Sequence, residues 1–352
     1  MSAPSPVTAP APPAPFAEDG PLAPTLRLLA AELARRCDQD GPHADGTGTG
    51  GVAEMERAAL LPPGKLLRPL LFTESAAATG MRRADTLAAA LGVERLHVGS
   101  LVHDDVIDGD TQRRGRPSVV ARYGLPNAIV TGDALLIGAF REVAAHTPAS
   151  VPDARRLAVV QTLAEAGVDL CRGQAMEDEL RAQGDRDVDR YLRMISLKTG
   201  ALFRASCLGG AQLAGAPAAA QHALTRYAEH LGRAFQMADD LLPHTSDTAT
   251  SGKSALSDLR NARPTFPVLL CWHRTNEQGR AQLSALLAGT LPAETAMETL
   301  RVLLRESGAL TQARAAARAE AAQAKAALDE LPATEARAAL HAVADLAVDR
   351  DR

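Results

Sequence analysis

The chain has 352 residues, 46% of them hydrophobic and 23% charged, with 38 basic and 42 acidic residues and a formal net charge of −4. That composition suffices to bury a core, and the slightly acidic balance excludes nucleic-acid binding by bulk charge. No apolar run reaches the roughly 18 to 20 residues of a membrane span, and the N-terminus lacks the basic-then-apolar layout of a secretory signal, so a cytoplasmic location is expected.

Residues 1–24 hold eight of the 22 prolines and six alanines and carry few large apolar groups. Such a segment cannot offset its ordering entropy, and a flexible tail is expected. From residue 25 to 352 the pattern predicts one all-α domain, a single large helical bundle. Leu26, Leu29 and Leu33 fall on one helical face, and a loop is expected over 41–51, where glycine and threonine alternate. Leu163 and Leu170 repeat two turns apart, Gly308 closes the apolar face of Leu300 to Leu304, and the alanine-rich stretch 313–330 is strongly helix-forming. Alternating strand patterns are missing. Cys37, Cys171, Cys207 and Cys271 are far apart, which suggests neither a disulfide framework nor a thiolate zinc site.

Chemistry concentrates in a few motifs. In His103-Asp104-Asp105-Val106-Ile107-Asp108, a helix places Asp104 and Asp108 one turn apart on one face. Carboxylates gathered without basic partners suit a hard divalent cation, above all Mg²⁺, which completes its shell with water and substrate phosphate. A solvated acidic helix end would show the same spacing, but Arg113, Arg114 and Arg116 follow closely, as a metal-bound diphosphate between the two clusters would require. A second pair, Asp239-Asp240, lies in Phe235-Gln236-Met237-Ala238-Asp239-Asp240-Leu241, where two facing helices would close a metal cage. The chain has 34 arginines but only four lysines, and three of the four sit beside glycine: Gly64-Lys65 ahead of Arg68, Lys198-Thr199-Gly200, and Gly252-Lys253 ahead of Asp258 and Arg260. Lysine near glycine suits phosphate, because the backbone approaches closely and the ammonium moves freely.

These motifs, in this order over residues 60–270, resemble the trans-isoprenyl diphosphate synthases, the polyprenyl synthetase family, and among them geranylgeranyl diphosphate synthases. The resemblance implies the all-α isoprenoid synthase fold with a central cavity, Mg²⁺ as cofactor, and isopentenyl diphosphate and an allylic diphosphate as substrates. Asp104, Asp105 and Asp108 match the first aspartate motif, and Asp239 with Asp240 the second; Asp104, Asp108 and Asp239 are the implied metal ligands. Arg113, Lys198, Thr199, Gln236 and Lys253 match contacts to the allylic diphosphate, and Lys65, Arg68, His97 and Arg114 match the isopentenyl diphosphate site. Asp104, Asp105, Asp108, Lys198 and Asp239 are implied in catalysis. Gln174 and Glu177 resemble a Gly-Gln-x-x-Asp element with glutamate in place of aspartate. The family is typically homodimeric, and the Ala- and Pro-rich tail resembles extensions that dock some bacterial synthases into encapsulin shells.

Two departures stand out. Pro243 occupies the place of the third aspartate of the second motif, where a kink is expected, and Asn261-Ala262-Arg263 replaces a Gly-Lys element. The first raises an alternative, a non-catalytic partner subunit. A class I terpene cyclase is the other, weakened by the second diphosphate site at Lys65, Arg68 and His97 and by the lack of an Asn-Ser-Glu motif. In the family, side chains about one turn before the first aspartate floor the product tunnel. Here they are Gly99 and Ser100, with Leu96 below, which favours a twenty-carbon product.

Overall fold

The computed structural model describes residues 20–39, 51–245, 265–289 and 293–349. Lys253, Asp258, Arg260 and Arg263, most of the 41–51 loop, and residues 1–19 of the tail, with its shell-docking role, lie outside the described residues.

The described chain is helical apart from one short hairpin. It runs through α1 (Ala23–Gln39), α2 (Gly51–Leu60), α3 (Leu67–Ala78) and α4 (Leu87–Asp108), then strands β1 (Gln112–Arg113) and β2 (Arg116–Pro117). There follow α5 (Val119–Tyr123), α6 (Leu125–His146), α7 (Asp153–Gln183), α8 (Val188–Ile195), a π turn over Ser196–Gly200, α9 (Ala201–Ala214) and α10 (Ala218–Thr245). The C-terminal part comprises α11 (Phe266–Arg274), α12 (Glu277–Leu287), α13 (Ala293–Glu306), α14 (Ala309–Ala327) and α15 (Glu335–Val348). No helix among the described residues is long and apolar enough to cross a membrane.

Apolar spacing accounts for these elements. α1 buries Thr25, Leu29, Leu33 and Cys37, one residue per turn. Its packing begins earlier than the composition of the tail suggests: Leu22 is 1% exposed and Ala23 opens the helix, so residues 20–24 belong to the domain. Gly51 likewise opens α2 rather than closing the loop. In α14 the alanines bury a small-residue stripe at Ala313, Ala317, Ala321 and Ala324, which lets it pack closely along α10.

One core joins α1, α3, α4, α6, α7, α9 and α15 through residues such as Leu29, Leu70, Phe72, Leu91, Leu135, Phe203 and Leu340. A second gathers Tyr191, Met194, Met237, Phe266, Leu283 and Leu304 from α8, α10 and the C-terminal helices. Between α4 and α6 the core contains charge. Arg95 donates to Glu142 and to Glu56, each at 3.1 Å, and Arg36 also reaches Glu142. Removing one member would strand a buried charge, so the network holds α1, α2, α4 and α6 in one arrangement.

That arrangement places Gly99 at a helix contact: a Cβ there would lie 3.0 Å from the Gly132 carbonyl oxygen and 3.1 Å from Leu135 Cβ of α6. Its smallness serves the α4–α6 approach. Ser100, whose hydroxyl donates to the His97 carbonyl oxygen at 2.8 Å, stays on the Asp104 side of α4.

Candidate active site

The C-terminal half of α4 carries one polar face. At about 100° per residue, His97, Ser100, Asp104 and Asp108 form one stripe, while Asp105 lies a quarter-turn round. Asp105 is 1% exposed and accepts from Arg113 Nε at 2.7 Å. The first motif is therefore divided, Asp105 bonded inside the protein and Asp104 with Asp108 on the stripe. Burial pushes Asp104 above the ordinary carboxylate range, Lys198 opposes that, and the neighbouring Asp108 and Glu177 add to it.

A two-residue turn delivers the arginines. Gln112 pairs with Pro117 and Arg113 with Arg116, and both turn residues have positive φ, 52° at Arg114 and 73° at Gly115. The turn sends Arg113 to Asp105 and lays Arg114 against the chain at Gly64, where a Cβ would come within 2.4 Å of the guanidinium. This explains the Gly64-Lys65 motif: glycine admits Arg114, and exposed Lys65 follows.

Arg68 joins from α3. Its Nη1 donates to His97 Nε2 at 3.1 Å and its guanidinium lies 5.1 Å from the centroid of the Phe203 ring. Burial holds the His97 imidazole well below its ordinary pKa, and Arg68, Arg114 and Arg113 push the same way. Arginine only donates, so Nε2 accepts and the neutral ring carries its proton on Nδ1. The sequence reading missed Glu94, 3% exposed and one turn before His97, whose carboxyl is raised by burial against the pull of Arg68 and Arg114. The Glu-x-x-His spacing was the available signal.

The opposite wall comes from α7, the π turn and α10. A Cβ at Gly173 of α7 would lie 2.4 Å from the Lys198 backbone nitrogen, so glycine lets the wound-out turn press against α7. Lys198 Nζ then donates to Glu177, one turn along α7. Gln174 points instead toward Asp178, 3.5 Å away.

From the same turn a relay runs into α10. Thr199 Oγ1 donates to Gln236 Oε1 at 2.8 Å, and Gln236 Nε2 donates to Asp240 Oδ1 at 2.9 Å. Asp240 Oδ2 accepts from the Tyr191 hydroxyl at 2.6 Å and from the Phe266 backbone N–H at 2.7 Å. Burial raises Asp240 to about 7 in spite of these donors. Asp239, its neighbour, is exposed, so the second motif is divided as the first is. Pro243 is buried and does not stop α10, which continues to Thr245.

Among the described residues no three His, Cys, Asp or Glu side chains stand together as a metal site. The donor chemistry still fits Mg²⁺, which binds through one or two carboxylates and takes its other ligands from phosphate and water.

A sequence profile of the polyprenyl synthetase family matches residues 52–303. The chain belongs to this family. It is 33% identical over 292 residues to an all-trans-nonaprenyl-diphosphate synthase (geranyl-diphosphate specific) of Rhodobacter capsulatus, covering 82% of this chain and 85% of that one. It is 37% identical over 236 residues to a (2E,6E)-farnesyl diphosphate synthase of Mycobacterium bovis, covering 67% of this chain and 64% of that one. The geranylgeranyl pyrophosphate synthetase of Pyrococcus horikoshii superposes with a TM-score of 0.83 at 30% identity, covering 94% and 98% of the two chains. The protein is thus an all-α prenyl diphosphate synthase, a prenyltransferase of isoprenoid biosynthesis. These three relatives make products of different length, so membership leaves that property open.

The adjacent aspartates of the synthase give opposite stability expectations. Asp240→Ala strands three donors, two of them buried, and should destabilise the fold by about 2–3 kcal/mol, whereas exposed Asp239→Ala should stay within about 0.5 kcal/mol of wild type. Urea denaturation of both variants measures this, and equal losses would contradict the division.

Proposed function

We propose that the chain condenses isopentenyl diphosphate with an allylic diphosphate, with Mg²⁺ as cofactor, to give all-trans geranylgeranyl diphosphate. One observation carries the reading: a single face of α4 bears Asp104 and Asp108 opposite Lys198 at one end, and His97 beside Arg68 and Arg114 at the other. Seven residues separate Asp104 from His97, about 10 Å along the axis. Two diphosphates fit side by side over that distance, one on carboxylate-bound metal and one on cations.

In this reading Asp104, Asp108 and Asp239 hold Mg²⁺, which supplies positive charge to the departing diphosphate oxygens. Lys198, kept in place by Glu177, contacts the same anion together with Arg113 and Lys253. Lys65, Arg68, Arg114 and neutral His97 fix the isopentenyl diphosphate so that its double bond faces the allylic carbon. The allylic carbon–oxygen bond breaks with its electron pair leaving on diphosphate. The double bond then supplies the pair for the new carbon–carbon bond, and the proton released from the adjoining carbon passes to the departed diphosphate. Thr199 and Gln236, locked by the relay to Asp240, present their dipoles toward the cation. Asp105 and Asp240 act through neighbours, holding Arg113 and Gln236 in position.

The reading includes a homodimer. α6 and α7 expose Leu125, Ile129, Val130, Ile137, Leu157 and Val168, with Ile137 at 69%, and a second copy of the same face would cover them.

Incubation of the protein with isopentenyl and farnesyl diphosphates and Mg²⁺ should yield geranylgeranyl diphosphate, and Asp104→Ala should lose at least about 100-fold in turnover while melting normally. Wild-type turnover in that variant would overturn the assignment. Ser100→Phe should shorten the main product by at least one five-carbon unit; an unchanged product distribution would show that the tunnel floor lies elsewhere.

A further inference from the structure

A cavity of about 460 Å³ lies beside the arginine hairpin and shares Asp105, Arg113 and Arg114 with the candidate active site. Its wall is apolar: Ala58 and Ala59 of α2, Val98, Leu101 and Val102 of α4, and Val119 of α5. Val98, Leu101, Val102 and Asp105 follow the spacing of one helical stripe, about a quarter-turn from Asp104 and Asp108. The helix that presents carboxylates to one space therefore presents valine and leucine to another.

The rim is cationic, formed by Arg113, Arg114, Arg116 and Arg122. Arg116 Nη1 donates to the Leu61 carbonyl oxygen at 2.7 Å, which fixes that side chain. Arg122 stacks over the Tyr123 ring at 4.8 Å and lies 4.0 Å from Glu54. Asp105 in the lining is paired with Arg113, and Glu54 lies beside Arg122. Asp104 and Asp110 also attract Arg113, and Glu94 attracts Arg114; each guanidinium has five N–H donors to share.

We infer that this cavity binds a single-chain anionic amphiphile, with its aliphatic tail against the α2–α4–α5 wall and its phosphate or carboxylate head on Arg116 and Arg122. The volume falls in the range of about 300–1,000 Å³ typical of small-molecule sites. Neither a purely polar anion nor a neutral hydrocarbon uses both surfaces. The occupant also touches the Asp105–Arg113 pair, through which it reaches the aspartate motif. Arg113 is also the arginine assigned to the allylic diphosphate, so a head group that draws it from buried Asp105 unpairs that carboxylate and lowers turnover. The binding claim stands independently of the prenyl-transfer reading; only the effect on turnover rests on it.

Equilibrium dialysis of the full chain without Mg²⁺ tests the inference, using farnesyl monophosphate and myristate as amphiphiles, farnesol as tail alone and inorganic phosphate as head alone. One equivalent of amphiphile should bind to Asp104→Ala as to wild type, be lost in Ala58→Trp, and weaken at least tenfold in Arg122→Glu; farnesol and phosphate should bind at least tenfold more weakly. Tighter farnesyl monophosphate identifies a prenyl phosphate as the occupant, and tighter myristate a fatty acid. Retention of that equivalent in both Ala58→Trp and Arg122→Glu, or no saturable binding of either amphiphile, overturns the inference. Ala58→Trp and Arg122→Glu should keep wild-type turnover without amphiphile. Loss of turnover in wild type as well would sink the prenyl-transfer reading and leave the dialysis result intact.

Discussion

Carboxylates crowded into a half-buried space repel one another and lose hydration, and each must gain a donor inside the protein or a cation from outside. Both aspartate motifs meet this constraint in the same way. Asp105 is bonded to Arg113, and Asp240 to Tyr191, Gln236 and the Phe266 backbone. Their neighbours Asp104, Asp108 and Asp239 lie on the stripe or toward solvent. Within each pair one residue builds the wall and the other faces the space the wall encloses. Asp105 and Asp240 are the more deeply buried members of their motifs, where desolvation makes internal donors necessary.

Close backbone approach is the second condition. Glycine at 64 admits Arg114 beside the start of α3, glycine at 173 admits the π turn that carries Lys198, and glycine at 99 lets α4 lie against α6. With the Arg95–Glu142 network they fix where the polar face of α4 points. The same packing gives α4 a second, apolar outlet beside the hairpin, so one helix connects the substrate face to the cavity with the arginine rim.

Much of this was legible in the residues themselves. Helical periodicity, the absence of strand alternation and the spacing of Asp104 and Asp108 are local properties, and they predicted the all-α bundle and the carboxylate stripe. What sequence could not supply was the partner of each polar group. Nothing local distinguishes Asp105 from Asp104 or Asp240 from Asp239; the difference arises from a hairpin turn and from α8 and α11, distant in the chain. The close approach of Gly99 to α6 was hidden for the same reason, since Gly132 and Leu135 lie more than thirty residues further along the chain. The tail boundary moved because Leu22 and Ala23, set among prolines, find a core that composition does not reveal.

The central claim is the division of labour within the aspartate pairs, and the most direct measurement is Mg²⁺-dependent binding of a non-cleavable allylic thiodiphosphate, followed by calorimetry in Asp104→Asn and Asp105→Asn. The account predicts that Asp104→Asn weakens metal-dependent binding at least tenfold with an unchanged melting temperature. It predicts that Asp105→Asn keeps the metal dependence and melts lower. Loss of metal-dependent binding in Asp105→Asn, with Asp104→Asn behaving as wild type, would contradict it.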